Sequence, residues 1–102
     1  MIYVIASLEA QAGKRDALLK AFATVGPKVR AEEGCIAYEA TVDAHTDIKT
    51  QKPVRPNTVT IMEQWDSLEA LHAHMQTPHM KEHFAKTAGM VVGRELQILE
   101  PA

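Results

Sequence analysis

Residues 58–87, TVTIMEQWDSLEALHAHMQTPHMKEHFAKT, decide the fold. Val59, Ile61, Glu63 and Trp65 alternate with their neighbours, so 58–65 predicts a strand with those four side chains on one face. Asp66 can cap the helix that follows, and Glu69 at its third position completes a capping-box pattern. Leu68, Leu71 and Met75 recur at helical spacing to about Gln76. Thr77-Pro78 then reads as a new start. A hydroxyl caps, and proline takes the first helical position, where no amide donor is needed. A second short helix is expected over 78–87.

Upstream, IYVIASL (residues 2–8) alternates as a strand. Ile2, Val4, Ala6 and Leu8 share one face, and Tyr3 and Ile5 keep the other apolar. Leu18, Phe22 and Val25 lie on a helical stripe over 14–25, and Gly26-Pro27 is expected to kink or interrupt that helix. One or two more turns should run to Ala31 and end at Gly34. Residues 35–43 alternate again, with Ile36, Tyr38, Ala40 and Val42 on one face. Residues 44–57 are polar, hold prolines, and read as a long loop, a length that tends to be functional or disordered. Downstream, residues 94–100 form a last strand.

The order β-α-β-β-α-β predicts an α+β, ferredoxin-like antiparallel sheet with the helices on one face, in a single domain over 1–102. The uncovered face would carry Tyr3, Ile5, Met62 and Leu99. Exposed apolar sheet faces are usually interfaces, so a face-to-face homodimer is expected.

Composition narrows the function. A net charge of −2 lacks the basic excess of a nucleic-acid surface. No apolar run reaches membrane-span length. The opening residues lack a signal peptide's basic head and long apolar stretch, and the single Cys35 suits a reducing compartment, so a cytoplasmic location is expected. No C-x-x-C, H-E-x-x-H or Gly-rich phosphate loop occurs, and no metal is assigned.

Four of the five histidines fall within residues 72–83, beside Glu63 and Trp65. Histidine moves protons near neutral pH, so the cluster points to acid–base work in an apolar pocket. The bland alternatives are concrete. Trp65 can fill core with Glu63 paired at its edge, and His72 and His74 can sit at the solvent boundary. His79 can hydrogen-bond near the start of its helix, and His83 can be pocket wall or surface. Only His79 and His83 have the i, i+4 spacing of paired metal ligands, and no third ligand is evident. A buried Tyr38 needs a hydrogen-bond partner. Phe22, Met75 and Phe84 are candidate pocket walls, although such residues more often fill core.

Three segments together carry a resemblance: Pro27–Tyr38 (PKVRAEEGCIAY), Glu63-Gln-Trp65, and Leu71–His79 (LHAHMQTPH). They resemble the antibiotic biosynthesis monooxygenase family of dimeric α+β-barrel proteins, over nearly the whole chain. The resemblance implies a cofactor-independent monooxygenase oxidising a small electron-rich aromatic, such as a quinol, with O₂. It favours His74 over His72 as the base, with Glu63 as its orienter and Trp65 and Tyr38 as ring-stacking walls. The alternative is a non-catalytic dimer that binds a small hydrophobic metabolite. The haem-degrading branch is a further alternative. Its first-strand asparagine is matched here by Ala6 and its iron-ligating histidine by Phe84, with His83 one position away. The 44–57 loop is longer than the family connection.

Overall fold

The computed structural model describes residues 1–102. Its elements are β1 (Ile2–Ala10), α1 (Arg15–Arg30), β2 (Cys35–Thr41), β3 (Thr58–Trp65), α2 (Leu68–Met75), α3 (Pro78–Thr87) and β4 (Val91–Leu99). The strands make one antiparallel sheet in the order β2-β3-β1-β4, the ferredoxin-like arrangement expected from the element order. β1 sets Val4 against Glu63, Ala6 against Ile61 and Leu8 against Val59. That face is buried under Leu18, Phe22, Val25 and Val29 of α1, Leu71 of α2 and Met80 of α3. On the other face Tyr3 pairs with Leu99 and Ile5 with Met62, uncovered as expected.

Four local expectations are corrected. α1 runs unbroken through Gly26-Pro27 to Arg30. Proline removes one amide donor, but Ala23, whose carbonyl loses its partner, and Pro27 are both exposed, so water can replace the bond. Burial of Phe22, Val25 and Val29 on both sides of Gly26-Pro27 keeps the helix continuous. Second, Ile36 does not share the face of Tyr38. A bulge between Cys35 and Ala37 turns Ile36 to solvent and returns Tyr38 to the core opposite Glu63. Third, Ser67 rather than Asp66 caps α2, its Oγ accepting from the Ala70 amide at 3.1 Å. Packing against the sheet buries Leu71 and His74 and leaves Leu68 and Met75 largely exposed. Fourth, the last strand begins at Val91, not Arg94.

Thr77 caps α3 as expected, accepting from the Met80 amide, with Pro78 in the first turn. Residues 42–57 form no helix or strand but are closed at the base. Arg55 donates from Nε, Nη2 and its own amide to the Asp43 carboxylate at 2.8–2.9 Å, which holds that carboxyl down at about 2. Thr46 and Gln51 pair within the loop, and Gln51 donates to the Ala44 carbonyl at 2.7 Å.

Candidate active site

A cavity of about 230 Å³ lies between the sheet and the helices, near the small end of ligand-pocket sizes. Val4, Ala6, Leu8 and Ile61 form its floor, Phe22, Leu71 and Met80 its roof, and Met75, Phe84, Leu96 and Ile98 its mouth. β4 is an edge strand beyond the helices, so its inward residues Leu96 and Ile98 remain open to solvent.

Into this apolar hollow the chain brings Tyr38, Glu63, His74 and His83. Glu63 and Trp65 share a strand face, and Trp65 Nε1 donates to Glu63 Oε1 at 2.9 Å. Burial pushes the Glu63 carboxyl up, against the lowering effects of that hydrogen bond and of nearby His74. Trp65 itself is fully buried behind the cavity wall. It supports the site from beneath, its ring 4.7 Å from that of His74, and does not offer a face to a ligand as expected. Tyr38 does line the cavity, 5.7 Å from the His74 ring between centroids. Burial pushes its phenol pKa up, so the hydroxyl keeps its hydrogen as a donor.

The partner of His74 is not Glu63 but Glu32. His74 Nδ1 lies 2.9 Å from Glu32 Oε2, and His79 Nε2 lies 2.7 Å from the same oxygen. A carboxylate only accepts, so each ring donates to it from that nitrogen, which leaves Nε2 as the lone-pair atom of a neutral His74. Glu32 reaches this place because the α1–β2 turn presses against the start of α2. Gly34 has φ +85°, and a Cβ there would stand 2.6 Å from Ala70 Cβ and 2.7 Å from Asp66 Oδ1. Only glycine allows both the backbone and the approach. The Asp66 amide donates to the Gly34 carbonyl at 2.9 Å and locks the two turns together.

Among the remaining expected site residues, Phe22, Met75 and Phe84 line the cavity or its mouth. His72 does not: it is exposed on the outer face of α2, because two residues along a helix stand about 200° apart and His74 takes the inner face. His79, which follows Pro78 at the start of α3, bonds Glu32 of the distant α1–β2 turn. The i, i+4 pair His79 and His83 is divided, His79 held by Glu32 and His83 turned to the cavity. Nothing in the sequence distinguishes Glu32 from Glu33, since the turn geometry alone selects one for burial and leaves the other exposed.

The model of the antibiotic biosynthesis monooxygenase family matches residues 1–86, and the chain belongs to that family. Over 99% of its length it is 38% identical to the probable quinol monooxygenase YgiN of Escherichia coli, covering 98% of that protein. Its fold matches PA3566 of Pseudomonas aeruginosa with a TM-score of 0.81 at 23% identity, covering 99% of this chain and 93% of that one. Rv0793 of Mycobacterium tuberculosis matches with a TM-score of 0.82 at 22% identity, covering 99% and 94%.

Proposed function

We propose that this protein is a cofactor-independent monooxygenase that oxidises a quinol or similarly electron-rich aromatic with O₂. The observation that carries the reading is the Glu32–His74 pair, a base fixed in one tautomer at the wall of a small apolar cavity. The likeness to a probable quinol monooxygenase supports the choice of substrate class.

His74 Nε2 takes the proton of a substrate hydroxyl, and Glu32 stabilises the imidazolium that forms. The Tyr38 hydroxyl donates to the developing oxyanion. The quinolate gives one electron to O₂, and the resulting radical and superoxide combine at a ring carbon that bears hydrogen. The new C–O bond makes a peroxide anion, which recovers a proton from His74 or from Glu63. Loss of water then leaves one oxygen atom on the ring as a carbonyl. Substrate, O₂, hydroxylated quinone and water balance without an outside reductant. Apolar walls slow escape of superoxide, and burial favours the protonated form of Glu63 needed at the peroxide step.

The test is oxidation of 1,4-dihydroxynaphthalene under ¹⁸O₂ by protein freed of flavin and iron. One labelled oxygen in the product and one in water are expected, at a rate lowered about 100-fold in His74→Ala. Unlabelled quinone with accumulating hydrogen peroxide would be autoxidation, and the reading would fall.

A further inference from the structure

Besides Thr87 and, on β4, Arg94 and Glu95, the polar groups of the cavity wall fall into two sets. Tyr38, Glu63 and His74 gather at one end, where Trp65 and Glu32 support them. His83 stands apart. Its ring packs on Phe22 with centroids 4.5 Å apart and on Phe84 at 6.0 Å, and the residue is 5% exposed. Its backbone carbonyl accepts from the Thr87 hydroxyl at 2.9 Å, yet neither ring nitrogen has a partner in the protein.

Burial, with the charges of Lys86 and Arg94 and the ring of His74 nearby, pushes the His83 pKa down to about 4. The ring is therefore neutral and carries one N–H donor and one free lone pair. It is also the one residue that lines both the cavity and a narrow outer cleft walled by α1 and α3, where Lys28, Glu82 and Lys86 lie. An imidazole so placed presents to the cavity a polar edge with no protein partner, between the rings of Phe22 and Phe84. Such an edge favours a ligand that brings it an oxygen.

Resting on the quinol reading above, we infer that His83 is the specificity-determining residue that binds the second oxygen of a dihydroxy aromatic whose first hydroxyl lies at His74. The two imidazoles come from successive helices and face one hollow, so a flat ring between them can satisfy both. A monophenol in the same place satisfies His74 and leaves His83 unpaired. The cavity therefore selects diols over monophenols, independently of whether oxygen is consumed.

Calorimetric titration under argon, with 1,4-dihydroxynaphthalene and 1-naphthol as probes, tests this without turnover. Wild-type protein should bind the diol roughly tenfold more tightly, the worth of one neutral hydrogen bond. His83→Phe should abolish that preference while still binding naphthol, and His83→Gln should restore part of it. Binding of both probes within about twofold by the wild type overturns the inference. So does an equal loss of both in His83→Phe, absence of binding by either, or a Soret band on adding haemin that His83→Phe removes, since His83 would then be an iron ligand. The wild-type comparison decides even if a variant fails to fold. Discrimination without ¹⁸O incorporation would sink the oxygenase reading and leave the diol site standing.

Discussion

Replacing Glu32 by glutamine removes a charge from the centre of the site while keeping its volume. The Glu32 side chain is 10% exposed and takes hydrogen bonds from His74 at 2.9 Å and His79 at 2.7 Å. An amide oxygen in the place of Oε2 can still accept from both rings, but the negative charge is gone and an NH₂ group replaces Oε1, which lies 3.1 Å from His74 Nδ1. Hydrogen bonds to a charged group are each worth about 1.5–3 kcal/mol. Weakening both by removal of the charge should cost about 2–3 kcal/mol, a fall of roughly 10–15 °C in Tm for a chain of this length. The rate should suffer more. Where the NH₂ group faces His74 Nδ1, the ring hydrogen moves to Nε2 and the free base is gone, a loss of about 100-fold in oxygenation. Thermal denaturation, ¹⁸O incorporation and the ¹⁵N shifts of the imidazoles report the three effects separately. A variant that melts within about 2 °C of the parent, with unchanged rate and imidazole shifts, would refute the bridging role.

Gly34→Ala should destabilise by about 3 kcal/mol, from a left-handed backbone and the overlap with Ala70, and should lower the rate because the same turn carries Glu32. Denaturant titration beside activity checks both. Acid stability should report His83. Its folded pKa of about 4 lies below the ordinary 6.5, so between those values the unfolded chain binds the extra proton. Its stabilising contribution is present above 6.5 and lost as pH falls toward 4. Glu63 runs the other way, its raised folded pKa removing stability as pH climbs past 4.5. His83→Phe should therefore flatten the rise of Tm between pH 4 and 6.5, recovering on the order of 2 kcal/mol at the acid end relative to pH 7. An unchanged slope contradicts the assignment. Finally, we propose that the uncovered sheet face pairs two copies of the chain. Met62→Lys, a charge placed beside Ile5 at the centre of that face, should convert a dimer to a monomer in sedimentation, and a wild type that already sediments as a monomer refutes it.

Much of the architecture was legible because it rests on local periodicity. The alternation of Val59, Ile61, Glu63 and Trp65 set one strand face, and Thr77-Pro78 marked the break between α2 and α3. The misreadings arose where neighbouring residues could do the same local job. Asp66 and Ser67 can each cap a helix, and the chain uses Ser67, while packing against the sheet set His74 inward and His72 out. Pro27 ends many helices, but here apolar burial on both sides of it outweighed one lost hydrogen bond on the solvent face.

For the site, residue chemistry pointed to Glu63, Tyr38, the histidine cluster and the apolar walls, since a strand face and a helix face must meet across the core, and the family resemblance chose His74 over His72. The partners of those groups were another matter. Glu32 lies 42 residues from His74, and it is a distant contact between Gly34 and Ala70 that brings them together. Trp65 was expected at the cavity surface and instead lies fully buried behind it, its indole packed on His74 and bonded to Glu63. Side-chain type and spacing thus determined the elements, their apolar faces and the kind of chemistry available. Which carboxylate holds which imidazole, and which imidazole is left free, was decided only by tertiary packing, because hydrogen-bond geometry depends on distances that no local pattern encodes.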